Sequence, residues 1–150
     1  MNWSRSGVTL IEIMMVLAII AIVGTISLPR FDRVLETYKV KTDARQVAWV
    51  LRSARQEAIT SGITQMVTFK PNLNCYIKDG TTSATYKLSP DIVFPPLEYS
   101  FEKYGGYAVC GFKPTGAVTP KAGKITLKNK YGKRISVVVN PSAGRIRIQE

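Results

Sequence analysis

VTLIEIMMVLAIIAIVGTISL (8–28) decides how the rest of this chain is read, because its 21 residues carry a single charge, Glu12. At ~1.5 Å per residue, a helix of that length crosses the hydrocarbon core of a bilayer, and it exceeds what a small domain buries. A removable secretory signal has a shorter apolar run and a small-x-small exit. Here the run ends in ISLPRF (26–31), with no such exit before Pro29. The segment is expected to stay with the mature protein.

Moving outward, the helical pattern continues. Phe31, Val34, Leu35, Tyr38, Ala44, Val47, Ala48, Leu51, Ala54 and Ala58 recur mostly at three- and four-residue steps. They form one apolar stripe, with Arg30, Arg33, Lys41, Asp43, Arg45, Arg52 and Glu57 on the other faces. Ser61-Gly62 provides the stop, the glycine suiting a left-handed cap. The reading is one helix over 8–61, with 8–28 in lipid and 29–61 amphipathic and packed on a globular domain. Gly24 and Pro29 are its expected bend points. Beyond Gly62 the period shortens. ITQMVTF (63–69), CYIK (75–78), ATYKL (84–88), YAVCGF (107–112), GKITLK (123–128), RISVVVN (134–140) and RIRIQ (145–149) read as strands. NKYGK (129–133) and PSAG (141–144) are turns that join the last three into an antiparallel meander. Pro90, Pro95 and Pro96 mark a loop or an edge strand. The fold class is therefore α+β, a long N-terminal helix packed on an antiparallel β-sheet or sandwich domain at 62–150.

Composition narrows the chemistry. In 150 residues there is no His and there are two Cys, which removes the usual general base near neutral pH and any four-thiolate zinc site. No Gly-rich phosphate loop or nucleophile elbow is present, and the Ser and Thr residues have no recognisable base partner. The expectation is a protein without catalytic residues, metal or cofactor. Its formal charge of +11 is uneven: residues 105–150 hold nine basic side chains against one acid, and from Lys113 to Arg147 there is no acid at all. Such a block suits a polyanion or an anionic membrane surface, or simply a solvated face.

SGVTLIE (6–12) ahead of an apolar run is similar to the leader of type IV pilins and type II secretion pseudopilins. The resemblance implies that prepilin peptidase removes residues 1–7 by cutting after Gly7 on the cytoplasmic side. Val8 then becomes the N-terminus, usually N-methylated, and Glu12 takes the family's fifth-residue carboxylate position. It also implies single-pass anchoring in the bacterial inner membrane, a C-terminal domain outside the cytoplasm, and other pilins or pseudopilins as partners. Val8 replaces the commoner Phe, and Arg5 is the leader's one clear basic side chain. Pro29 falls where pilin helices characteristically carry a proline. Physically, a lone carboxylate in a lipid-facing helix costs about 3 kcal/mol on insertion scales and is functional by default. Its natural partner is a cation from another subunit, such as the α-amino group freed at Val8. A carboxyl protonated by burial, or kept wet near the interface, is the alternative.

ARQVAWVLRSARQEAITSG (44–62) followed by ITQMVTF resembles the FimT/GspH group of minor pilins and pseudopilins. Leu51, Ala54, Arg55, Glu57, Ala58 and Gly62 match its L-x-x-AR-x-EA helix end and glycine. GRIR (144–147) resembles the C-terminal GRxR motif of FimT-type minor pilins linked to DNA uptake in natural transformation. In a strand, Arg145 and Arg147 share one face while Ile146 and Ile148 face the core. Gly144 leaves the backbone open beside two guanidinium forks suited to phosphate. Lys128, Lys130, Lys133 and Arg134 crowd the NKYGK turn, and Lys113, Lys121 and Lys124 precede it. Basic side chains on edge strands also guard against unwanted pairing, and lysines in turns are ordinarily just solvated. Two readings follow: a FimT-like minor pilin that binds DNA without sequence preference, or a GspH-like pseudopilin of a type II secretion system that does not. Cys75 and Cys110, in an exported domain, form either a disulfide or two buried thiols.

Overall fold

A computed structural model describes residues 8–96, 98–141 and 144–150, with the side chains of 26–30 excepted. They fall into two compact units, divided between Leu35 and Glu36. In the first unit the helix α1 (Leu10–Ser61) begins, and it passes without a break through the expected bend points Gly24 and Pro29. From 10 to 25 every described side chain is exposed, almost all of them apolar. Among the described residues no helix is long and apolar enough to cross a membrane. The expected span 8–28 starts ahead of α1 and ends at side chains outside the description.

Among the described residues, the second unit (36–150) holds the rest of α1 and ten strands. These are β1 (Gln65–Lys70), β2 (Cys75–Asp79), β3 (Ala84–Lys87), β4 (Ile92–Val93), β5 (Glu102–Tyr104), β6 (Tyr107–Phe112), β7 (Val118–Thr119), β8 (Lys124–Asn129), β9 (Arg134–Val139) and β10 (Ile146–Gln149). One antiparallel sheet runs β3-β2-β1-β6-β5, with β7 also on β6; the other runs β10-β9-β8-β4. The C-terminal meander and the edge strand β4, flanked by Pro90 and Pro95, are as the sequence predicts, as is Gly62, which ends α1 at φ +69°. The short pairings β5 and β7 were not legible from alternation.

Alternation puts Val67, Phe69, Tyr76, Cys110 and Phe112 of the first sheet on the inner face. Ile125, Leu127, Ile135, Val137 and Val139 do the same for the second. Val40, Ala44, Val47, Ala48, Leu51, Ala54 and Ala58 of α1 complete one buried cluster. Alanines at this spacing let the helix axis approach the sheets closely, and Phe69 stacks on Phe101 at 5.7 Å between centroids. The apolar stripe is shorter than its sequence pattern: Phe31, Val34, Leu35 and Tyr38 are exposed, and burial starts at Glu36 and Val40. Asp43, expected outside, is buried because its carboxylate accepts the Ser89 N–H (2.8 Å) and Oγ–H (2.9 Å). Glu57 reaches inward too, paired with the buried Lys78 of β2.

Candidate functional site

At the N-terminus of α1, Thr9 caps the helix. Glu12 N–H donates to the Thr9 carbonyl (3.1 Å) and, more weakly, to its Oγ1 (3.4 Å). Thr9 and Glu12 thus stand at capping-box spacing, and a carboxylate in the first turn also suits the positive end of the helix dipole. This local role was readable from T-x-x-E and escaped the sequence analysis. Val8 precedes the helix and is exposed; Gly7 lies outside the described residues.

The C-terminal motif is built around a close contact. Gly144 adopts φ +58°, and a Cβ there would stand 2.6 Å from the Gly116 carbonyl oxygen and 3.0 Å from Arg55 Nε. Arg55 Nε donates to that same carbonyl at 3.2 Å. The ARQEA helix end and the GRIR motif therefore meet, with Arg55 lodged between two glycine loops. Next to it, Arg52 Nη2 donates to the Ile146 carbonyl at 3.3 Å, occupying one backbone acceptor of the edge strand β10. Arg145 and Arg147 are both exposed, and neither pairs with a carboxylate among the described residues. Ile146 is buried as expected; Ile148 is not, since β10 is an edge strand and its end overhangs the core.

The basic residues form two groups, not one. Lys124 and Arg147 flank Val138 from either side and so share the outer face of the second sheet. Lys121 lies beside Lys124 around a shallow depression at the same end. The β8–β9 turn sits at the opposite end of β9, roughly 20 Å of strand away. There Lys130 lies 3.9 Å from both Glu36 and Asp91, Lys133 lies 4.0 Å from Glu150, and Arg134 lies 3.3 Å from Glu98. Lys128 faces outward opposite Arg134. The acid-free block of sequence is thus partly neutralised in space by carboxylates from other segments. Two further ion pairs share these carboxylates: Lys41 with Glu150 (3.0 Å) holds the Glu150 carboxyl below its ordinary range, and Glu36 at 2.5 Å raises Lys39.

Comparison with known proteins adds the decisive observation. Residues 4–28 match the prokaryotic N-terminal methylation motif. The fold is shared with the minor pseudopilin EpsH from the type 2 secretion system of Vibrio cholerae, at a TM-score of 0.56 and 12% identity over 74% of this chain and 96% of that one. It is shared equally with the type IV minor pilin FimU of Pseudomonas aeruginosa, at 0.59 and 13% over 77% and 91%. The chain thus joins an N-terminal methylation motif to a fold found in a minor pseudopilin and a minor pilin. In sequence, 77 residues are 35% identical to prepilin peptidase-dependent protein A of Clostridium perfringens, which is 49% of this chain and 55% of that protein. The chain thus spans about half the length of the curated relative it matches.

Of the two states open to Cys75 and Cys110, the sheet leaves free thiols. Cys75 pairs with Lys70 and Cys110 with Val67, on opposite faces of β1, and β1 itself lies between their strands. Two strand spacings make ~9.6 Å, beyond the ~7 Å that a bridge tolerates. Burial pushes the Cys110 thiol up to about 12, which makes it unreactive. Among the described residues no cluster of ligands for a metal is present.

What sequence reasoning missed is the flank of α1. Trp49, Arg52, Ser53, Gln56 and Thr60 form a stripe beside β10, and a groove of about 860 Å³ lies between them and Arg145. The signal was available as a tryptophan off the apolar stripe with arginine three residues later.

Proposed function

We propose that this chain is a minor type IV pilin, incorporated in a pilus or priming one, that captures DNA without sequence preference during natural transformation. In this reading prepilin peptidase cuts after Gly7, the stretch 8–28 holds the subunit in the inner membrane as a single pass, and Glu12 pairs with the α-amino group of a neighbouring subunit in the fibre. The almost wholly apolar exposed surface of α1 over 10–25 supports this, since such a surface requires lipid or other helices to cover it. The domain after it works outside the cytoplasm, as a structural and adhesive part and not an enzyme.

The observation that carries the DNA reading is the pair Arg145 and Arg147, exposed and without a carboxylate partner among the described residues, with Lys124 on the same outer face as Arg147. Gly144 sets the loop that presents them. Lys128, Lys130, Lys133 and Arg134 at the far end of the sheet supply a second, partly neutralised cationic patch that a long polyanion reaches. Contacts of this kind grip phosphates, release counterions and read no bases. Mobility shifts of a duplex by the full chain in detergent micelles, across a salt series, test it. Arg145→Gln/Arg147→Gln is expected to weaken binding and to reduce the log–log salt slope by about 2, at ~0.9 per phosphate contact. Equal binding with an unchanged slope defeats the assignment. A parent chain that binds no DNA favours the other reading, a minor pseudopilin of a type II secretion system, for which the fold likeness to EpsH is the supporting observation.

A further inference from the structure

The groove between α1 and β10 combines an exposed tryptophan with three arginines. Trp49 stands on its helical wall with 58% of its surface exposed, at a position outside the apolar stripe. Ser53 and Gln56 follow it at four and seven residues, on the same face. Arg52 and Arg55 form the inner part, each using one guanidinium N–H on a backbone carbonyl, and Arg145 closes the opposite side. The groove's one carboxylate, Glu57, is already engaged by Lys78. Three guanidinium groups therefore line one groove with an exposed aromatic side chain, and among the described residues its one carboxylate is already paired.

We propose that this groove binds single-stranded DNA, with a base stacked on Trp49 and the flanking phosphates held by Arg52 and Arg145. The inference rests on the DNA reading above and adds to it a strand preference. Aromatic faces attract any base by stacking, and cationic walls track the backbone, which is how sequence-tolerant single-strand sites are built. A duplex hides its base faces, so it engages Arg145 and Arg147 on the outer surface and leaves Trp49 unused. The outer surface and the groove share Arg145, which makes the two binding modes adjacent and lets one strand of a frayed end enter while the duplex stays outside.

The chain has two tryptophans, Trp3 and Trp49, so the full chain in micelles with Trp3→Phe makes Trp49 the sole indole reporter. A twenty-residue oligo-dT is expected to quench its emission, and a duplex of equal length is not. Trp49→Ala is expected to lower oligo-dT affinity roughly 5- to 160-fold, by the loss of one stacked base, while duplex affinity stays within a factor of two. Trp49→Phe keeps most of the oligo-dT affinity, and circular dichroism checks that each variant is folded. If Trp49→Ala binds both forms as the parent does, the groove inference falls and the DNA reading stands. If the parent binds neither form, both fall together. Emission that ignores oligo-dT but moves on mixing with other fibre subunits assigns the groove to a protein contact and overturns the inference.

Discussion

Replacing Gly144 with alanine separates a packing role from a ligand role in the C-terminal motif. The residue sits at φ +58°, where an L side chain costs ~1–2 kcal/mol. Its new Cβ would meet the Gly116 carbonyl at 2.6 Å and Arg55 Nε at 3.0 Å, so backbone must shift, which adds ~1–3 kcal/mol on the scale of overpacked sites. Gly144→Ala is therefore expected to destabilise by about 2–5 kcal/mol. Gly132 is the matched control, since its φ is +84° and a Cβ there meets nothing within 4 Å. Gly132→Ala should cost only the conformational part, about 1–2 kcal/mol. Alanine also stiffens the unfolded chain, but equally in both variants, so the difference isolates the contact. Urea unfolding of the full chain in micelles, followed by Trp49 emission in a Trp3→Phe background, measures it. If Gly144→Ala proves no worse than Gly132→Ala, the close approach of the two loops around Arg55 is refuted, and with it the placement of Arg145.

Other perturbations probe the ties between α1 and the sheets. Glu57→Gln strands the buried Lys78 ammonium and is expected to cost about 3–5 kcal/mol in denaturant unfolding, whereas Glu57→Leu/Lys78→Met recovers most of that; equal loss in both contradicts the pair. Asp43→Ala leaves the Ser89 N–H without its acceptor, an expected loss of about 1–3 kcal/mol in the same assay. Iodoacetamide at pH 8 should leave native Cys110 unlabelled, while urea without reductant should yield two adducts by mass; a bridged species refutes the free thiols. Because the folded thiol is raised, the stability tied to its neutral form is complete below the ordinary thiol range and is lost as pH climbs towards 12. Glu12→Ala should leave membrane insertion intact but reduce recovery of the subunit in fibres, which immunoblotting of sheared fibres against membranes reads out. Unchanged recovery removes the pairing proposed for Glu12.

Local periodicity made the helix and the C-terminal meander legible, because each is decided by residues three, four or two positions apart. What escaped depends on strands that are distant in sequence lying side by side. The stretch from Lys113 to Arg147 holds no acid, yet Glu36, Asp91, Glu98 and Glu150 arrive from α1, the proline-rich loop and the terminus to meet Lys130, Lys133 and Arg134. A charge count along the chain has no access to that neutralisation. The cysteines fail for a similar reason: two strand residues look available to each other until the order β2-β1-β6 interposes a strand and the registers assign them opposite faces. Asp43 and Glu57 break the helical stripe because each brings its own partner, Ser89 and Lys78, and a buried carboxylate with satisfied oxygens is tolerated where a bare one is not.

The meeting of ARQEA and GRIR bears on the choice between the two functional readings. Arg55, Gly116 and Gly144 are three parts of one contact, so the arginine of the helix motif and the glycine of the C-terminal motif serve the fold. Neither carries information about DNA, and a structural pseudopilin needs them as much as a DNA-capturing pilin does. Arg145 and Arg147 are different: they touch no acid among the described residues, and removing their charge leaves no buried group unpaired. Their charge is dispensable for the fold, whereas the glycine ahead of them is not. The discriminating part of the four-residue motif is therefore its two arginines, and a variant that keeps Gly144 and Arg55 while losing both should fold, join a fibre and fail to retain DNA.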